Sequence, residues 1–429
     1  MILAATMILV GVTDNNVFAA KQKTVEKSLE EYKEVLNYTA EYKEYSEYIS
    51  QYEKADKPTD EYVIDAADYI ASEGMDIDKY VETLRSFHAN VCMVGCGGIT
   101  AFYKVNISTE GLYEMSLNYF PIEGNGSSIQ RAFFIDGELP YRQMTGIEFS
   151  RVWTNENSTW DTDNQGNDLK PTQIEQPEWV TSKLYDVDGY VTEPLKVYMT
   201  KGVHTITVVS QREPMILRSI TLKNDEKLKD YNTYYETQKN AGKNDYTGER
   251  VLIEAERATK KSSSMLYPTQ DQSSPDVNPY SAKLLKNNTI GGESWSHSGQ
   301  WIEWEFDAPD DGFYNITLHA KQNFVKGIYV SRKIMIDGEV PFSELNAYGF
   351  TYNSGWKDIT LSSSDGEEYR FYLTKGTHTL SMQAVLGEFA PIISKVQSIV
   401  TELNSEYRKI IRITGVSPDE NRDYQIEKK

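Results

Sequence analysis

Apolar and polar positions change period several times along this chain, and each change predicts a different element. Ile2 to Val12 is an unbroken apolar run of eleven residues, too short to cross a bilayer but the right size for the hydrophobic part of an export signal. From Gln22 to Glu53 the period becomes helical. Val25, Leu29, Tyr32, Leu36, Tyr42, Tyr45, Ile49 and Tyr52 recur three or four apart in a single stripe, the signature of an amphipathic helix. Lys57-Pro58-Thr59 closes it, since proline lacks the amide a helix interior needs. Such a stripe serves either to pack on the next domain, its commoner use, or as a tyrosine-rich recognition surface.

Beyond residue 60 the period drops to two. Tyr113, Met115 and Leu117 alternate with polar residues, as do Tyr314, Ile316 and Leu318, which predicts strands buried on one face. Asp136-Gly137 and Asp337-Gly338 read as hairpin turns, where glycine accepts a positive φ. Lys201-Gly202 and Lys375-Gly376 lead into further alternating strands, and Ile216–Ile220 and Ile393-Ser394-Lys395-Val396 read as the last strands of two series. A short helical segment lies near Leu228–Tyr235, and another carries Ile399, Leu403, Tyr407 and Ile410.

These strands belong to an internal repeat. Glu110–Leu117 matches Asp311–Leu318, Arg131 matches Arg332, and Ile135–Tyr141 matches Ile336–Phe342, all at an ungapped offset of 201. Tyr198–Ile206 then matches Tyr372–Leu380 at an offset of 174, so the first copy carries 27 extra residues between those blocks. Three collinear blocks define two modules. Many short strands punctuated by turns predict a mainly β chain of two jelly-roll β-sandwich modules with N-terminal, linker and C-terminal helices. The expected organisation is a signal-like segment at 1–20, a helical segment at 21–57, a first module with an insertion at 60–223 and a linker at 224–249. A second module at 250–401 and a helical extension at 402–429 complete it, the extension leading into a further domain if the chain is part of a longer protein.

Composition narrows the function. The chain has 429 residues, enough for two or three domains, and a net charge of −20 from 64 acidic and 44 basic side chains. Its pI near 4.8 argues against nucleic acid, whose phosphates need a basic face. The 39% hydrophobic content, 30 tyrosines among it, is too high for a disordered chain. No stretch of 18 apolar residues predicts a membrane span in the mature chain. Two cysteines exclude a disulfide scaffold and a multi-cysteine zinc site. Val17-Phe18-Ala19 ahead of Ala20 offers small residues to a signal peptidase, and no cysteine comes after it for a lipid anchor. Export, to the medium or the cell surface, is therefore expected; a buried N-terminal strand is the alternative use of Ile2–Val12.

Ile253-Glu254-Ala255-Glu256, Gly299–Phe306, Asp311–Tyr314, Ile336-Asp337-Gly338, Gly355-Trp356 and Lys375–Leu380 succeed one another in order. In this the second copy resembles the β-sandwich carbohydrate-binding modules of families 6 and 35, which have a galactose-binding-domain-like fold. The resemblance spans nearly all of 250–400. Copy one adds Glu73-Gly74-Met75-Asp76, Tyr119–Gly124, Phe149–Trp153 and Gln211–Met215, and the tail adds Arg412–Gly415 and Arg422-Asp423-Tyr424. With these the arrangement resembles the paired modules ahead of the solute-binding domain in sugar ABC transporter proteins of Gram-positive bacteria. The resemblance implies a glycan or oligosaccharide ligand and an ABC transporter permease as partner.

Sugar recognition needs an aromatic plate for the C–H face of a pyranose and polar groups for its hydroxyls. Trp356, in a loop after Tyr352-Asn353-Ser354, matches the stacking tryptophan of family 6, and Tyr352 stands beside it. Trp295 is a second loop tryptophan; Trp153 is the first copy's counterpart of Trp356, and Trp160 and Trp179 lie in the insertion. All could equally pin loops onto the sandwiches. Trp301 and Trp304, three apart on one strand, face opposite sides, so at least one is core. Glu254 and Glu256 sit where the family's first strand gives carboxylates to a structural calcium, so calcium is expected, if anywhere, in the second module. Copy one offers only Asp65 and Asp68, and neither last strand keeps the family's aspartate.

The remaining candidates are weaker. Arg131 and Arg332 fit internal salt bridges better than contacts to an acidic ligand. Cys92 and Cys96 are spaced for neither zinc nor a thioredoxin-type pair, leaving a local disulfide or two buried thiols. Gly95, Gly97 and Gly98 read as a bend. Without a GxSxG or HExxH motif, and with His204 and His378 at matched structural positions, catalysis is not expected. The chain reads as a non-catalytic, exported carbohydrate-binding protein. The alternative is a scaffold whose sandwiches are spacers or protein-interaction modules.

Overall fold

The computed structural model describes residues 28–37, 42–69, 71–73, 92–94 and 100–425. The apolar run at 2–12, the signal-peptidase pattern at 17–20, Cys96 and the glycines at 95, 97 and 98 lie outside them. Among the described residues no helix is long and apolar enough to cross a membrane. The chain is mainly β, as its period-two segments predict, and every strand ladder is antiparallel.

The first module is two facing sheets. One runs Ala71–Glu73, Thr100–Ile107, Gly202–Arg212, Ile129–Ile135, Ile147–Phe149. In the other, Met215–Leu222 lies between Tyr62–Asp65 and the eleven-residue strand Gly111–Pro121, whose far edge takes Val180–Lys183 and Lys196–Met199. Alternation does what it should. Met115, Leu117 and Tyr119 point inward and are fully buried, against Tyr103, Phe133, Val208 and Leu217 from the other strands.

The Asp-Gly turns are repeated in detail. Asp136 and Asp337 sit at φ of 51° and 53°, and Gly137 and Gly338 come next at 77° and 79°, the left-handed pair of a tight hairpin. Each aspartate holds the histidine of the next strand, His204 Nδ1 at 2.6 Å and His378 Nδ1 at 2.7 Å. Each Nε2 meets a threonine carbonyl at 2.8 and 2.7 Å. Both histidines are thus structural.

The repeat also extends further than the strands. The helix Tyr45–Ser50 docks on the first sandwich, where the amides of Lys196 and Tyr198 donate to the hydroxyls of Tyr45 (3.3 Å) and Tyr48 (2.9 Å). The helix Tyr231–Asn240, N-capped by Asp230, docks on the second; there the amides of Arg370 and Tyr372 donate to Tyr231 (3.2 Å) and Tyr234 (3.0 Å). Gln143 Oε1 accepts from the Tyr45 amide and Glu344 Oε1 from the Tyr231 amide. The tyrosine stripe is a packing face, and residues expected to be a plain linker form part of the second unit.

Two differences separate the modules. Part of the stretch between the first module's matched blocks belongs to the second module's sheet: Trp153–Asn155 and Gln173–Glu175 form a hairpin that extends the series Tyr348–Thr351, Tyr329–Ile336, Gly376–Val385, Trp301–Ala308, Lys260–Lys261. Lys261 is fully buried at the joint, its ammonium donating to Asn155 Oδ1 (2.7 Å) and Gln173 Oε1; burial pushes its pKa down to about 8.

The second difference corrects the sequence reading. Ile393–Val396 is not a strand but lies in the helix Ala390–Thr414. Pro391 sits in that helix's first turn, where a missing amide costs nothing. Ile392, Val396, Ile399, Leu403, Tyr407 and Ile410 continue a helical spacing through the segment. The second module's inner sheet is left as two short pairs, Gly312–Tyr314 with Phe371–Leu373 and Thr317–Ala320 with Lys357–Thr360.

Candidate functional site

Loss of that strand leaves the second sandwich open. A cavity of about 1610 Å³ runs between its sheets, lined inside by Ile253, Trp304, Ile316, Leu318, Leu380 and Met382 and at its rim by polar residues and Trp356.

Trp356 occupies the loop between Tyr348–Thr351 and Lys357–Thr360 and is half-buried. Its indole N–H donates to Asp271 Oδ2 at 3.0 Å. The His319 ring lies parallel to it, 5.4 Å between centroids and 8° between planes, and the Lys321 ammonium stands 5.2 Å from the ring centre. Lys321 also pairs with Asp271 and donates to Ser273 Oγ at 3.1 Å. Burial opposes ionisation of Asp271, but donors from Lys321, Ser273 and Trp356 outweigh it and hold the carboxyl well below its ordinary value. Asn288 ties the Asp271 backbone down on both sides, at 2.8 and 2.9 Å. The rim is therefore a fixed aromatic plate with charged and amide groups around it. That combination suits a ring with one apolar face and a hydroxylated edge.

The other expected site residues fall in different places. Tyr352 is exposed four residues from Trp356. Trp295 lines the cavity, but its N–H is taken by the Gln300 carbonyl (3.0 Å) and Arg332 covers its ring at 4.3 Å. Burial pushes the Arg332 guanidinium down to about 10. Trp153 is half-buried in the strand that joins the modules, its ring against Gly126. Trp160 lies under Arg257 of the second module, 5.5 Å from ring centre to guanidinium. Trp153 and Trp160 thus sit at the joint rather than beside Trp356. Trp179 is stacked under Arg218 at 3.6 Å. Trp304 is core, its N–H donating to the Ala255 carbonyl at 2.7 Å, while Trp301 is half-buried.

Both repeated arginines spend guanidinium donors on main-chain carbonyls. Arg131 is fully buried and donates to the carbonyls of Gln130, Arg212 and Glu213, each at 2.8 Å. Arg332 donates to the carbonyls of Ser331 (2.9 Å) and Trp295 (3.1 Å). Arg151 is a buried, ion-paired arginine, held between Glu213 at 2.9 Å and Glu175.

Glu254 and Glu256 do come together. Glu256 is buried, and burial with the neighbouring Glu254 carboxyl, to which it is hydrogen-bonded, pushes it up to about 7. Asn278 donates to Glu254 Oε1 at 2.9 Å. Two carboxylates and an amide oxygen are the hard ligands calcium takes, but among the described residues no third acidic side chain joins them.

His319, Lys321 and Asp271 escaped the sequence reading. For two of them a signal existed: at the 201 offset His319 and Lys321 replace Asn118 and Phe120, a change to charge on the outward face of a matched strand. Asp271 has no legible counterpart.

The chain is thus a two-unit antiparallel β-sandwich protein with one open module. No protein-family model matches it, and no curated protein does. Solved structures it is similar to include the C-terminal CBM6 module of a marine laminarinase from Zobellia galactanivorans, at 13% identity over 38% of this chain and 100% of that one, TM-score 0.19. Another is a family 35 carbohydrate-binding module from an environmental isolate, at 9% identity over 38% and 93%, TM-score 0.21. A third is a Podospora anserina GH26-CBM35 β-(1,4)-mannanase, at 12% over 42% and 35%, TM-score 0.21. A β-glucosidase from Paenibacillus barengoltzii matches over only 10% of its own length, at 15% identity and TM-score 0.16. Likenesses this faint carry no argument about function, which rests on the site.

Proposed function

We propose that this chain is a non-catalytic carbohydrate-binding protein whose second module takes a glycan or oligosaccharide on the Trp356 platform. The observation that carries the reading is the immobilised indole of Trp356, set edge-on to Asp271 beside Lys321 and His319. A plate fixed before the ligand arrives loses little entropy on binding. Sugar would stack on Trp356, with Tyr352 widening the apolar contact, while Asp271, Lys321 and nearby amides meet the hydroxyls. Release would be reversible, with no bond broken. The adjacent Glu254 and Glu256 do not fit a glycosidase pair, because they share a hydrogen bond whereas such pairs stand about 5 Å or more apart. Calcium, if bound, would be held by Glu254 and Glu256 and would relieve their mutual repulsion.

The wider setting belongs to the same proposal: an extracellular location and service ahead of the solute-binding domain of a sugar ABC transporter, with its permease as partner. One observation favours the scaffold alternative, the sheet shared across the two modules, which would hold them as a stiff spacer. Calorimetric titration with a panel of oligosaccharides decides between them. The binding reading expects saturable heat that Trp356→Ala abolishes while the fold is kept; heat unchanged in W356A, or none with any sugar, leaves the scaffold.

A further inference from the structure

The second module's opening has the shape of one missing strand. In the first module Met215–Leu222 fills the slot between Tyr62–Asp65 and Gly111–Pro121, pairing Ile220 with both Ile64 and Leu117. In the second, the matching edges are bare: among the described residues Thr317–Ala320 is paired only with Lys357–Thr360, and 251–254, which lines the same cavity, is in no ladder. Ile316 and Leu318 are half-buried there, where their counterparts Met115 and Leu117 are fully buried.

The corner that aims the chain into the slot is nevertheless present twice. Glu213, just before Met215–Leu222, has a φ of 59°, and its counterpart Gly387, at the 174 offset, has a φ of 57°. Two residues further on than the 174 offset gives, the segment after Gly387 carries the pattern of the first module's last strand: Ile392-Ile393-Ser394-Lys395-Val396 against Ile216-Leu217-Arg218-Ser219-Ile220, an offset of 176. In the helix these apolar residues stay exposed. Ile392, Ile393 and Val396 are 59%, 39% and 56% exposed, yet Ile393 already stands at the cavity's edge.

We propose that residues 392–398 are a two-state element, and that the open slot between 251–254 and Thr317–Ala320 is the docking site for this same segment in extended form. Branched Ile and Val suit a strand as well as they suit this helix. Transferring the first module's register puts Val396 between Ile253 and Leu318 and Ile393 opposite Ala320. Lys395 then falls beside Glu254, a cation for the carboxylate pair from the chain itself. Insertion closes the cavity and completes the sheet whose Ala320 end leads to Lys321 and the Trp356 platform. Closure and sugar binding are therefore coupled, although insertion itself does not depend on what the platform binds.

Alanine substitution of exposed helix residues and of buried strand residues has opposite consequences, which makes the test direct. In the full chain, Ile392→Ala, Ile393→Ala and Val396→Ala together would leave the helical form unchanged or slightly more stable, since alanine is the better helix former. If the segment inserts, the same triple variant lowers the second module's melting temperature by about 10 °C and raises binding of a hydrophobic dye. A melting temperature that is unchanged or higher overturns the proposal. Hydrogen exchange on the unsubstituted protein is the second readout. Inserted, amides 392–398 exchange at least about tenfold more slowly than those of 403–410 in the same helix; equal exchange along the whole helix also overturns it.

Discussion

The two modules share turns, a docked helix and a strand order, yet one is closed and the other open. In the first, Met115, Leu117 and Tyr119 find Leu222, Ile220 and Leu217 across one ladder, and nothing of their surface is left. In the second, the matched Ile316 and Leu318 face a cavity of about 1610 Å³. One strand makes the difference. A sandwich tolerates loss of an edge strand, but loss of the strand between two others exposes both the sheet's hydrogen-bonding edges and its interior. The closed module has put its polar groups into internal bonds, Arg131 and Arg151 among them. The open one keeps His319, Lys321 and Trp356 at its rim.

Substitutions can break this contrast, and the largest expected effect is in the closed module. Arg151 is buried between Glu175 and Glu213 and donates to the Ile122 and Ser127 carbonyls at 2.9 Å. Arg151→Ala strands a buried carboxylate and is expected to cost about 3–5 kcal/mol in urea unfolding. Arg332→Ala, in the open module, removes two carbonyl bonds and a ring contact and should cost less than half of that. Equal losses would mean that the modules are packed alike.

The docked helices sharpen the likeness instead. Tyr45→Phe with Tyr48→Phe removes two acceptors from amides of the first module, and Tyr231→Phe with Tyr234→Phe does the same in the second. Each lost acceptor is expected to cost about 1–3 kcal/mol. Similar drops in the two double variants would establish the helix as part of each repeat; a drop in one alone would confine that role to one module.

At the joint the expected effect is smaller and depends on pH. Lys261 has a folded pKa lowered to about 8 from 10.5. The folded state therefore binds fewer protons between those values, and the cost of burying the charge, complete below pH 8, is relieved as pH rises toward 10.5. Wild type should gain stability relative to Lys261→Met over that interval, read from thermal melts. A difference that stays constant with pH contradicts the lowered pKa of the buried lysine.

The repeat was legible because strand alternation and Asp-Gly turns are local signals, and the matched blocks set their order. Tyr45 was legible as part of a packing stripe and Tyr231 only as part of a short helical segment; the two were not legible as equivalents, since no block match spans their helices. Ile393–Val396 misled because a short stretch with branched side chains satisfies a strand and a helix alike. There Pro391 and the spacing to Leu403 favour the helix. The pairing of Trp153 was illegible for another reason: its ladder partner Lys261 lies 108 positions away in the next module, and nothing near either residue announces it. The platform was half legible. Trp356 stood out by type, but Asp271, His319 and Lys321 become its neighbours only in three dimensions.

The most direct test of the central claim is the tryptophan fluorescence of Trp356→Phe and wild type, titrated with soluble polysaccharides and their oligosaccharides. The account predicts a saturable change in wild type that W356F weakens at least about tenfold, or about 1.4 kcal/mol, with Trp153→Phe binding as wild type. A response that survives in W356F and disappears in W153F would place the binding surface at the joint between the modules and contradict it.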